Sequence, residues 1–88
     1  RNSVNLPTLE QDWSGETRLC IIHRNVPNML ASITAALSRE NVNVENMTNK
    51  SKGNYAYTIV DVSARVGDAV ADEIRAISGV LRVRVLRH

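Results

Sequence analysis

The chain has 88 residues, of which 43% are hydrophobic, 3% aromatic and 23% charged, the make-up of one small globular domain with no room for a second core. Eleven Lys and Arg against nine Asp and Glu leave a formal net charge of +2, too slight to predict a polyanion partner. A lone cysteine, Cys20, excludes an internal disulfide and predicts a reducing, cytoplasmic setting. No apolar run approaches the roughly 18 residues of a membrane span, and residues 1–15 hold no apolar signal-peptide core.

Residues 1–16, RNSVNLPTLEQDWSGE, mix Asn, Ser, Pro, Gly and acids with neither a helical nor a strand period, and are expected to be a linker from absent catalytic domains. Leu6, Leu9 and Trp13 are its candidates for docking on a surface. A start at Arg1 in place of Met fits a piece cut from a longer protein or a processed one.

Thr17 to His23 is short, apolar and β-rich, with Leu19, Ile21 and His23 on one face and Arg18, Cys20 and Ile22 on the other. Asn25-Val26-Pro27 predicts a helix start, with Asn25 as cap and Pro27 in the first turn. Met29, Leu30, Ile33, Ala36 and Leu37 recur at helical spacing until Arg39-Glu40-Asn41. Val42 to Ser51 alternates briefly and then turns polar, as an edge strand with a bulge does. Lys52-Gly53-Asn54 predicts a hairpin, and Tyr55 to Val62 a strand with Ala56, Thr58, Val60 and Val62 on one face. Asp68 opens a second helix striped by Val70, Ile74 and Ile77 and ended by Ser78-Gly79. Val80 to Arg87 closes the chain as a strand with Leu81, Val83 and Val85 inward and Arg82 and Arg84 outward.

The order βαββαβ over residues 17–88 predicts an α+β, ferredoxin-like domain: a four-stranded antiparallel sheet with both helices on one face, the first and third strands central. Cys20, Ile22, Tyr55, Tyr57 and Ile59 make the opposite face partly apolar. This scaffold carries enzymes, RNA binders and ligand sensors, so only the sites can choose among them. Lys52 to Ile59 is superficially like the basic-glycine-aromatic motif of RNA-recognition modules. Asn54 interrupts it, however, and the first strand has Cys20 and Ile22 where a second stacking ring is wanted. There is no phosphate-cradling glycine loop, metal-ligand spacing or base beside Cys20, so no catalysis and no cofactor or metal are expected within these residues.

A sensor fits better. His23-Arg24-Asn25-Val26-Pro27-Asn28-Met29-Leu30 puts polar groups at the carboxyl end of a strand, where a helix N-terminus favours a carboxylate. Asn25 and Asn43 each offer a donor and an acceptor, as a zwitterion needs, and His23 adds a donor. Structural roles for the same residues stay open: Asn25 as a cap, Asn43 in a turn, His23 as a strand-end side chain.

His23-x-Asn25-x-Pro27, Asn41-Val42-Asn43-Val44 and Tyr57-Thr58-Ile59-Val60-Asp61-Val62 together make residues 17–88 resemble an ACT domain, the ligand-binding βαββαβ module of amino-acid metabolism. They resemble in particular the C-terminal domains of the bacterial D-3-phosphoglycerate dehydrogenase family, with Ser3-Val4-Asn5-Leu6-Pro7 similar to that family's exit segment. The resemblance implies a regulatory tail of an oxidoreductase whose NAD sits in the absent catalytic part. It implies L-serine bound at the interface of a homodimer and feedback inhibition of L-serine biosynthesis, with no nucleic acid or membrane partner. His23 and Asn25 match the residues that hold serine from one copy, Asn43 matches the one reaching from the other, and backbone amides near Asn28 and Met29 complete the carboxylate site. Val26 and Asn28 depart from the family, which has a basic residue at the first position in some members and commonly Gly at the second. A side chain at Asn28 either crowds the ligand or adds an amide contact, and a pairing domain without ligand stays an alternative.

Overall fold

The structure, a computed structural model, describes residues 15–87. The docking expected of Leu6, Leu9 and Trp13 lies outside the described residues. The elements run β1 (Thr17–Arg24), α1 (Met29–Arg39), β2 (Val44–Lys52), β3 (Tyr55–Val62), α2 (Asp68–Arg75) and β4 (Val80–Arg87). They form one sheet in the order β2-β3-β1-β4, with every neighbouring pair antiparallel. This is the ferredoxin-like arrangement predicted from the sequence, with β1 and β3 central.

Pairing fixes which side chains share a face. Leu19 lies opposite Val60 and Val85, and Ile21 opposite Thr58 and Val83. Leu19, Ile21, Val60 and Val83, with Val85 packed against them, meet Met29, Ile33, Ala36 and Leu37 of α1 and Val70, Ala71 and Ile74 of α2 in a single aliphatic core. Arg39 of α1 bonds Glu73 of α2 across the helix layer.

Helix α1 ends in a Schellman arrangement. Asn41 has φ 56, its N–H reaches Ser38 O at 3.0 Å, and the N–H of Val42 reaches Leu37 O at 3.0 Å. Asn tolerates this left-handed position better than most residues, which is why the helical stripe stops there.

Three local expectations are corrected. Helix α1 begins at Met29, not around Pro27, because Asn28 at the cap has φ 68 and left-handed backbone cannot lie inside a right-handed helix. Helix α2 ends at Arg75, before Ser78-Gly79, where the chain tightens into turns bonding Ile77 N to Ile74 O and Val80 N to Ile77 O. Leu81, expected inward, is 52% exposed, because the β1–β4 register slips between Ile22 and His23 and a bulge breaks the two-residue alternation there. The bulge expected in the second strand is present between Val44 and Asn46.

The other face is less open than its composition implied. Ile22 and Tyr55 are exposed, whereas Cys20 and Ile59 are buried. The latter two lie opposite each other on the central strands, one pleat from Arg18 and Asp61, which are also buried. Arg18 Nε and Nη2 donate to the two Asp61 carboxylate oxygens at 2.7 and 3.0 Å, and this bonding raises the guanidinium above its already high ordinary pKa.

Candidate functional site

A recess of about 360 Å³ opens where β1 runs out and α1 begins. Its polar wall is made by His23, Asn25, Asn28 and Asn49, and its apolar wall by Val26, Met29 and Leu30. Apart from His23, none of its lining side chains is titratable. Amide dipoles, together with the helix N-terminus, therefore supply its electrostatics.

Local chain chemistry builds this shape. Asn25 is held to the hairpin after β2: its N–H donates to Asn54 O at 2.8 Å and its Nδ2 to Gly53 O at 3.1 Å. Its side chain therefore pins the β1–α1 loop and does not cap the helix, correcting that structural reading. Next, the N–H of Val26 reaches Arg24 O at 3.0 Å, a tight turn that swings Val26 and Pro27 outward. The left-handed turn at Asn28 redirects the chain into α1. A residue with φ 68 is one that Gly adopts freely, so the conformation itself accounts for the Gly common in the resembled family.

Behind the recess, Met29 is buried against Gly79, which has φ 97 and whose absent Cβ would stand 2.6 Å from Met29 Cε. Gly79 O accepts the N–H of Arg24 at 2.8 Å. The loop before β4 thus braces both the end of β1 and the start of α1.

His23 is 2% exposed. Its Nδ1 lies 2.9 Å from Arg24 O and its Nε2 2.8 Å from Thr58 Oγ1. Thr58 Oγ1 is in turn 2.9 Å from the Asn49 side-chain amide. A polar file thus runs from the backbone of β1, across β3, to Asn49 on β2 at the rim of the recess.

His23, Asn25, Asn28 and Met29 come together around the recess. Asn43 does not join them: it is exposed just before β2, and its carbonyl accepts the N–H of Ser63 at 3.1 Å, at the far end of the sheet. Asn49 and Thr58 were not singled out from the sequence as site residues. Thr58 carried a signal, being a polar residue within the inward row Ala56, Thr58, Val60 and Val62. Asn49 sat in a run of polar residues that reads as a solvated edge, and only its register opposite Thr58 reveals it.

On the opposite face the Arg24 guanidinium lies 5.9 Å from the Tyr55 ring centroid, and burial raises the Tyr57 phenol above its ordinary pKa. Among the described residues no three His, Cys, Asp or Glu side chains gather as metal ligands, and no helix is long and apolar enough to cross a membrane.

No family model matches the chain. Among curated proteins it is 26% identical over 87 residues to D-3-phosphoglycerate dehydrogenase of Shigella flexneri, covering 97% of this chain and 21% of that one. It is 36% identical over 61 residues to D-3-phosphoglycerate dehydrogenase 2 of Saccharomyces cerevisiae, covering 69% of this chain and 13% of the relative. The chain thus spans about a fifth or less of the length of these relatives. Among solved structures, the ACT domain from GTP pyrophosphokinase of Chlorobium tepidum superposes with a TM-score of 0.70 at 19% identity, over 82% of this chain and 97% of that domain. The regulatory subunit of aspartate kinase from Thermus thermophilus does so at 0.68 and 12%, over 82% of this chain and 50% of the other. Fold from these structures and sequence from the dehydrogenases converge: the chain has the fold of an ACT domain and is similar, over almost its whole length, to part of the D-3-phosphoglycerate dehydrogenases.

Proposed function

We propose that this domain is an amino-acid sensor that binds L-serine and imposes feedback inhibition on a D-3-phosphoglycerate dehydrogenase, whose NAD-dependent oxidation belongs to other parts of the parent protein. The observation that carries the reading is the recess itself. Its three amide side chains, with a helix N-terminus beside them and an apolar wall of Val26, Met29 and Leu30, suit a small zwitterion. A net-neutral ligand needs no buried countercharge, and the lining brings none apart from what His23 can carry.

Asn43 enters through a second copy. Among the described residues strand β2 has one neighbour in the sheet and so presents a free edge. Two copies joining that edge about a two-fold axis satisfy both rows of backbone groups and form two equivalent sites at the seam. A ligand held by both copies favours the paired state by its differential affinity for it, typically a coupling of about 1–3 kcal/mol.

Calorimetric titration of the protein with L-serine is the test. Saturable heat that is lost in His23→Ala and weakened at least tenfold in Asn43→Ala is expected. Absence of heat for L-serine and for other amino acids sinks the sensor reading. Sedimentation run alongside identifies a pairing domain without ligand by dimers indifferent to serine.

A further inference from the structure

The file from His23 to Asn49 contains a conflict of hydrogens that only two arrangements resolve. Arg24 O can only accept, so a bond to it requires a proton on His23 Nδ1. Thr58 has a single hydroxyl hydrogen, shared between two neighbours: His23 Nε2 at 2.8 Å and the Asn49 amide at 2.9 Å. If Thr58 donates to Asn49 Oδ1, Nε2 must itself donate, and the ring carries both protons and a positive charge. If the ring is neutral, Thr58 donates to Nε2, and Asn49 must turn its amide over so that Nδ2 donates to Thr58. The remaining combinations set two acceptors or two donors face to face, either in the buried His23–Thr58 contact, where this costs about 1–3 kcal/mol, or in the part-buried Thr58–Asn49 contact.

We infer that Asn49 is a ligand-facing, specificity-determining residue whose polarity toward the recess is set, through Thr58, by the proton on His23. With the ring charged, Asn49 gives its NH2 to the recess and favours a carboxylate or hydroxyl acceptor. With the ring neutral, Asn49 gives its carbonyl and favours an ammonium or hydroxyl donor. His23 is thereby a positioning residue, since both of its nitrogens are occupied inside the protein. This deepens the sensor reading of the recess and, in its meaning for ligands, rests on it.

The surroundings leave the proton to this file. Across from His23 stand Ala56 on β3 and Val80 on β4, neither ionisable. Lys50 and Lys52 of β2 pair with Tyr57 and Tyr55, and Arg82 of β4 with Ile22, all on the opposite face. Arg24 itself lies against Tyr55. On the helix side, Arg39 of α1 is engaged by Glu73 of α2, and Arg75 by Asp72; Asp68 opens α2.

The test needs no ligand, so its failure is distinct from a failure to bind serine. Nitrogen-15 NMR of the imidazole of the intact protein across its titration is expected to show a neutral ring protonated at Nδ1 and bare at Nε2. The Asn49 side-chain amide resonances are expected to follow the same titration, with their hydrogens exchanging faster with solvent when the ring is charged. Thr58→Val, close in shape, should leave the ring titrating while the Asn49 resonances stop following it. A neutral ring protonated at Nε2 in the wild-type protein overturns the inference, as does an Asn49 amide indifferent to the His23 titration.

Discussion

Asn28 shows how one dihedral angle shapes both stability and binding. It holds φ 68 at the mouth of the recess without a side-chain cap bond, so its amide is free of a helix-capping duty. Left-handed backbone costs an ordinary L-residue roughly 1–2 kcal/mol, less for Asn, and little for Gly. Asn28→Ala is therefore expected to lower the unfolding free energy by about 1 kcal/mol and Asn28→Gly to leave it within about 0.5 kcal/mol, as read from urea denaturation. Because Asn28 also lines the recess, the Gly variant separates the two roles of its side chain. Tighter serine binding in Asn28→Gly means that the amide crowds the ligand, and weaker binding means that it contacts it. Equal losses of stability in the Ala and Gly variants would contradict the backbone account.

Helices and strands were legible where a single period dominates, as in Met29, Ile33, Ala36 and Leu37 of α1 or the inward Leu19 and Ile21 of β1. Tertiary packing and propensity agree there. The departures occur where the backbone leaves its period. Pro27 is compatible with a first helical turn, but nothing local announces that Asn28 will be left-handed. Leu81 continues an alternation that the bulge cancels. The site was legible to a similar degree: the His23–Asn25 block marks its loop, whereas Asn49 depends on register, which is a long-range property. The bulge gives a sharp contrast between two residues of β4. Leu81→Ser, at a side chain 52% exposed, should change stability by no more than about 0.5 kcal/mol. Val83→Ala removes buried methyl groups opposite Ile21 and should cost about 1–3 kcal/mol. Denaturant midpoints for the two variants check this, and a larger loss for Leu81→Ser would return Leu81 to the core.

On the scale of the whole molecule, Asn43 and the recess lie at opposite ends of β2, and this separation prescribes how two copies must meet. For Asn43 of one copy to stand beside Asn49 of the other, antiparallel β2 strands must pair with these residues opposite. The two-fold axis then falls at Asn46, midway between them. Opposed residues of an antiparallel pair have Cα atoms about 4.5–5.5 Å apart, inside the range a disulfide spans. Mild oxidation of Asn46→Cys is therefore expected to give a covalent dimer on a non-reducing gel, and L-serine should hasten its formation by holding the pair together. The native Cys20 is buried and does not compete in this reaction. Cross-linking that fails at Asn46 but succeeds for Arg84→Cys would move the seam to the β4 edge and strand Asn43 away from the ligand. Efficient cross-linking at Asn46 without any effect of serine would leave the seam in place and take the ligand out of it, separating assembly from sensing in one experiment.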